Sequence, residues 1–468
     1  LKASKCLFHI VTVFTIICPI SLGALFSDSS LTSSLHTITS YDFTVITSAF
    51  AEEKVLSLND CLKLGMENNP KLKSANFMVD AAQEDLNAAK ADFLPSVSAG
   101  TNYNKLDSKS YKSESTTADS DYVDQHSTVY NIGVSQVLYA GKRLVNTRDK
   151  AIERRKMFLE DKAYTEAELA YQIKSVYFQL MKAIQDVQVG VDTVKRLEAD
   201  VTAARAFYEK EMTSYAQVLQ AEVDLADARQ QLSKIRNTVD RKKADLFVLI
   251  NLPFNPEINL SGKLDYYAKG FNMTQEQCFK KAITSRPDLK SLDHQMVMAE
   301  KDVAIAKGQY YPLVKLNAGY YDQDKEYNIS DYSSYENKYW SAGVNLSWSL
   351  FDGGKAWYQK RRSQIDIKRL QEQSKGIISQ LEAGIVTSLM SLSEAEERIK
   401  ATAEGVTASN EYYEMESKRF QAGIATVSSV LDAQVRVTRA HGSYNQALLD
   451  YQLARADLDF LTGSAIGE

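Results

Sequence analysis

From Cys61 to Pro95 and from Cys278 to Pro312 the chain repeats itself without a gap, sharing 11 of 35 residues. A repeat of this kind makes the fold two copies of one unit and constrains it before any element is assigned. The matches include Lys63/Lys280, Pro70/Pro287, Leu72/Leu289, Ser74/Ser291, Asp85/Asp302 and Lys90/Lys307. Later landmarks recur in the same order. Leu138-Tyr139-Ala140-Gly141 answers Leu350-Phe351-Asp352-Gly353, and Ala244-Asp245-Leu246 answers Ala456-Asp457-Leu458. The chain therefore divides into a leader, 1–51, a first repeat, 52–262, and a second repeat, 263–468.

Each copy carries one order of elements. The segments Leu58 to Lys90 and Thr274 to Lys307 are helical in composition, and Pro70 and Pro287 split off a short first helix. Pro95 and Pro312 end the helices, after which the apolar period becomes two. This predicts strands at about 95–104 and 129–139 in the first copy and at about 312–322 and 339–351 in the second. In the last of these, Trp340, Ala342, Val344, Leu346, Trp348 and Leu350 alternate with Ser341, Gly343, Asn345, Ser347 and Ser349, giving one apolar and one small polar face. Near Gln136 the parity slips, which predicts a bulge or an early end of the strand. The connections Asn104 to Thr128 and Asp322 to Lys338 are polar and read as loops.

Two proline-free spans follow, at about 142–208 and 354–420. Helices of that length would run ~100 Å, beyond what a globular domain holds. Leu180, Ile184, Val187, Val191, Val194, Leu197, Val201 and Ala204 recur at steps of three and four, and Ile385, Leu392, Ile399 and Val406 at seven. That is the period of coiled-coil packing. A returning helix follows each span, Tyr215 to Leu249 and Val427 to Leu461.

Composition narrows the partners. With 55 Lys and Arg against 60 Asp and Glu, the net charge of −5 leaves no basic surface for phosphates, so nucleic acid is excluded. A mean hydropathy of −0.32 excludes a bundle of membrane-spanning helices. The leader places Lys2 and Lys5 before an apolar stretch, Leu7 to Phe26, and ends at Ala49-Phe50-Ala51, as a secretory signal does. Cleavage near Gly23 or Ala24 is the alternative boundary, and His9 and Pro19 weigh against a membrane anchor. Cys61 and Cys278 occupy equivalent helical positions and read as small core residues. His126, His294 and His441 are scattered, and Gly353-Gly354-Lys355 lacks the spacing of a phosphate loop. No enzyme, metal or cofactor is expected.

Strands of about ten residues with an apolar face and aromatics near their ends suit a membrane-spanning β-barrel. The aromatics are Tyr103, Tyr130, Tyr320, Tyr339, Trp340 and Trp348, part of a total of 26 tyrosines and 3 tryptophans. Four strands leave open edges that lipid does not tolerate. Two chains would give a filled eight-stranded barrel and three a twelve-stranded one with a channel, which the small polar face favours. The fold class is mainly α with membrane β: a trimeric twelve-stranded β-barrel, four strands per chain, continuous with a long α-helical coiled-coil barrel. The rival is a periplasmic coiled-coil adaptor or structural protein without a pore, its alternating segments forming soluble hairpins.

Across roughly Val55 to Gly463 this order resembles the TolC-type outer-membrane efflux proteins. The likeness is carried by Leu58-Asn59-Asp60-Cys61-Leu62 with Glu67-Asn68-Asn69-Pro70, by Asp352-Gly353-Gly354, and by Phe420-Gln421-Ala422-Gly423-Ile424-Ala425-Thr426 leading to Val430-Leu431-Asp432-Ala433-Gln434. The resemblance implies a homotrimer in the outer membrane with a periplasmic extension. It implies an exit duct of a tripartite efflux pump or type I secretion system, opened by a membrane-fusion adaptor and an inner-membrane pump of the RND or ABC type. It places adaptor docking on Ala422, Gly423, Ile424, Ala425 and Thr426. The counterpart turn Lys210-Glu211-Met212-Thr213-Ser214 has no glycine. A pore constriction falls on Asp432 and Ser429, with Gln220 opposite Asp432 in the first copy. This implies three carboxylates around the axis, and Ala425 stands at the position of a gate-latching arginine.

Overall fold

The computed structural model describes residues 55–109, 122–253, 260–262, 264, 266, 273–327 and 335–463. The leader lies outside the described residues. Helices α1 (Leu58–Asn68) and α2 (Pro70–Ala91) precede strands β1 (Ser96–Lys109) and β2 (Tyr122–Tyr139), the long helix α3 (Arg143–Glu209) and α4 (Tyr215–Ile250). The second set repeats the order: α5 (Gln275–Ser285), α6 (Pro287–Gly308), β3 (Leu313–Tyr327), β4 (Tyr335–Ser347), α7 (Lys355–Gln421) and α8 (Val427–Leu461).

Matching local chemistry starts the two copies. Ser57 and Asp60 form a reciprocal capping box on α1, and Thr274 and Gln277 form the same on α5. Pro70 and Pro287 each take a first-turn position, where the missing N–H leaves no helical bond unmade. Cys61 and Cys278 are both buried, unpaired thiols.

The four strands make one antiparallel sheet in chain order, so β1 and β4 are its two edges. Register assigns the faces. Val134 stands opposite Val97 and Ala318, Ile132 opposite Ala99 and Tyr320, and Tyr320 in turn opposite Trp340. Tyr103 and Tyr130 share this apolar face, and Tyr320 packs on Trp340 with ring centroids 5.1 Å apart. The face ends at the pair Asp322 and Lys338. None of the described residues covers it: Val344 is 64% and Trp340 81% exposed.

Two expectations are corrected, the length of the polar connections and the end of the last strand. As the alternation requires, Tyr339 lies on the opposite face from Trp340, where it pairs with Tyr321, the two rings stacked at 5.2 Å. Alternation of side chains, not their polarity, decides the face. The polar connections are shorter than expected, because the ladder carries β1 to Lys109, β2 back to Tyr122, β3 to Tyr327 and β4 back to Tyr335. Backbone pairing continues after the apolar face has ended, since it needs no hydrophobic side chain. β4 stops at Ser347, so Trp348 lies beyond the strand and donates its indole N–H to the Tyr310 carbonyl at 3.1 Å. The bulge expected near Gln136 is present between Val137 and Tyr139, and the Gln136 side-chain amide donates to the Phe93 and Val137 carbonyls.

α3 and α7 each span 67 residues, ~100 Å at helical rise. Along α7 the buried residues Leu381, Ile385, Ser388, Leu392, Ala395 and Ile399 step by four and three, a seam that packs on α8. α8 buries residues on more than one face because it packs against both α7 and α3.

Both α-hairpins turn the same way. In the second, Gly423 donates to the Phe420 carbonyl at 2.9 Å and Ile424 to the Arg419 carbonyl at 2.9 Å, with Gly423 left-handed at φ 73°. In the first, Glu211 donates to Tyr208 at 2.9 Å and Met212 to Phe207 at 2.9 Å, with Glu211 at φ 58°. The strand-to-helix corners repeat this: Gly354 at φ 84° in the second copy, Lys142 at φ 61° in the first. Side chains other than glycine pay ~1–2 kcal/mol in that region. Glu211→Gly and Lys142→Gly are therefore expected to stabilise the protein by about 0.5–1 kcal/mol each. Gly423→Ala should destabilise it by ~1 kcal/mol, since a Cβ there would also meet the Met212 methyl at 3.3 Å. Denaturant unfolding of the purified variants measures all three.

Candidate functional site at the helical tip

The two hairpin turns end a four-helix tip built from α3, α4, α7 and α8. Its core joins Leu197, Val201 and Ala204 of α3 to Val218 and Ala221 of α4, Phe420 of α7, and Val427, Val430 and Leu431 of α8. Phe207 meets Phe420 edge to face at 5.0 Å, and Ala425 packs against the cluster. Ala422, Gly423 and Ile424 are exposed, Ile424 to 71%. Thr426 caps α8, its hydroxyl accepting from the Ser429 N–H at 3.3 Å. The turn thus offers an exposed, largely apolar projection, with the Met212 methyl of the other turn close beside Gly423.

The two constriction residues stand differently. Ser429 is half-buried and engaged within the cap, its hydroxyl 2.9 Å from that of Thr426 and 3.1 Å from the Thr426 carbonyl. Asp432 is exposed on α8, and among the described residues no ion pair or hydrogen bond is found for it. It is not electrostatically isolated. Burial, then Asp227 and Asp432, push the carboxyl of Asp224 on α4 above its ordinary value. Position-by-position comparison of the copies sets Gln220 opposite Asp432 and misses Asp224, one helical turn further along. The signal was present as the pair Asp224 and Asp227 at a spacing of three, which puts both on one side of α4. A groove of about 1120 Å³ runs between α3, α4 and α8, lined among others by Gly190, Asp224, Leu232, Gln434 and Val435.

The three histidines stand apart from one another. His126 contacts the Tyr103 hydroxyl at 2.7 Å, His294 the Glu153 carboxylate at 2.7 Å, and His441 the Asn410 amide at 3.3 Å, on three separate elements. Among the described residues no group of three or more His, Cys, Asp or Glu side chains is placed to hold a metal. No described helix is long and apolar enough to cross a membrane.

The family model "Outer membrane efflux protein" matches the chain twice, over residues 62–252 and 278–464. The chain is 21% identical over 420 residues to the probable efflux pump outer membrane protein TtgC of Pseudomonas putida, covering 88% of this chain and 83% of that one. It is 21% identical over 398 residues to the outer membrane protein TolC of Vibrio cholerae, covering 83% and 86%. Its fold superposes on the CmeC outer membrane channel of Campylobacter jejuni with a TM-score of 0.74 at 14% identity, covering 87% of this chain and 85% of that chain. The sheet and the helical hairpins, whose long arms run ~100 Å, fall within the two matched stretches, and the chain belongs to the outer membrane efflux protein family.

Proposed function

We propose that three copies of the chain close a twelve-stranded barrel in the outer membrane and that the helices continue it as a periplasmic duct. The observation that carries this reading is the sheet: one exposed apolar face, one face of Ser, Gly and Asn, and two unpaired edges. Pairing β4 of one copy with β1 of the next satisfies both edges and turns the apolar face to lipid and the polar face to a water-filled lumen. Tyr320 and Trp340 then lie where the apolar face gives way to Asp322 and Lys338, as interfacial aromatics do.

The duct is a passive conduit that serves as the exit of a tripartite efflux pump or type I secretion system. The exposed turn from Ala422 to Thr426 docks the periplasmic adaptor, and the first-copy turn, of the same backbone geometry, offers a second site. Opening is driven by that adaptor and an inner-membrane pump. Asp432, with Asp224 and Asp227 beside it, sets a negative potential at the periplasmic mouth, which favours cations.

Two experiments test this. Arginine at Val344, on the apolar face, should cost about 2–4 kcal/mol and prevent assembly, whereas arginine at Asn345, on the other face, should be tolerated. Detergent-extracted trimer is the readout, and a soluble monomer from the wild-type chain would refute the barrel. In planar bilayers Asp432→Asn should lower the cation-over-anion permeability ratio by roughly twofold or more; unchanged ion selectivity would remove Asp432 from the constriction.

A further inference from the structure

At the tip, α3 and α7 meet through the Phe207–Phe420 contact and, further from the turn, through a polar layer. Asp200 of α3 is only 6% exposed within one chain, yet among the described residues no cation lies within ion-pair distance of it. Its described contact is the Tyr413 hydroxyl of α7, at 3.5 Å. Arg196, one turn earlier on α3, holds its guanidinium over the Tyr413 ring, 5.0 Å from the centroid, instead of over the carboxylate. From α8, His441 faces Arg196 and Asp192. The nearby buried acid Glu416 differs in having its own cation, Arg419, at 2.7 Å.

We propose that Asp200 and Tyr413 form a proton-dependent latch that holds the α7–α8 hairpin against α3 in the closed tip and weakens when Asp200 ionises. The inference rests on the channel reading above and supplies a closing contact for a chain with Ala425 in its tip turn. A protonated Asp200 shares a neutral contact with Tyr413 across the seam. An ionised one leaves a buried charge without a paired cation, a cost that separating the helices relieves by letting water in.

The direction with pH follows. Burial raises Asp200 from 3.8 to about 6, against the smaller lowering effects of Tyr413 and Arg196. A raised acid stabilises the closed seam fully below its ordinary value, and that stabilisation is lost as pH rises through about 6. His441 opposes it: burial and Arg196 lower its affinity for protons, so its contribution is present above its ordinary value of 6.5 and lost as pH falls below. Asp200 carries the larger displacement, so the latch is tightest in acid.

If the carboxyl of Asp200 returns to its ordinary value on opening, the open-to-closed ratio should rise about fourfold between pH 5.5 and 7.5. The test uses the full-length trimer with two readouts: open probability in planar bilayers and melting temperature, each at pH 5.5 and 7.5. Wild type should open more and melt lower at pH 7.5. Asp200→Asn should lose both changes and stay closed at pH 7.5, and Tyr413→Phe should open more readily at both values. A conducting Asp200→Asn channel that kept the wild-type pH slope would overturn the latch alone. A wild-type trimer that conducts nothing at either pH would overturn the channel reading, and the melting temperatures would still decide the latch: equal slopes in wild type and Asp200→Asn refute it.

Discussion

A β-sheet of four strands ends in two rows of backbone N–H and C=O groups with no partner, and beside a fully apolar face those rows cannot be left to water or lipid. Most of this chain's architecture answers to that constraint. In the proposed trimer β4 of one copy pairs with β1 of the next, and the number of copies sets whether a lumen exists. The chain order of the strands places each copy's edges at its two ends, so identical copies satisfy one another head to tail.

The helices meet a parallel demand by a different route. A helix of 67 residues has no unmet backbone groups along its length, so its problem is the apolar stripe. α7 has the four-three seam from Leu381 to Ile399 and needs one neighbour on that side; α8, buried on several faces, lies against both long helices. Small residues at the seam, such as Ala395 and Ser388, allow close approach. At the tip the seam yields to the mixed layer of Asp200, Tyr413, Arg196 and His441.

Much of the fold was legible in the residues because local physics writes it there. Prolines 70 and 287 break helices wherever they stand, the step of three and four marks a packed stripe, and the alternation from Trp340 to Leu346 marks a two-faced strand. Legibility failed where a neighbour in space sets the outcome. Register, not alternation, set Tyr339 against Tyr321 as a stacked pair. Glu211 and Lys142 concealed two left-handed corners because the duplicated geometry outlasted its glycines. Asp224 escaped the comparison of copies because facing helices are related by packing rather than by sequence offset.

By itself the sequence determined a duplicated unit, its helices and strands, and the two-faced character of its sheet, since each follows from residue spacing along a single backbone. The tertiary structure alone decided which aromatics meet across strands, how far the strands run past their apolar stretch, and which carboxylates share a neighbourhood. Those outcomes depend on strand register and helix packing, where side chains remote in sequence exclude water from one another and so change one another's charge.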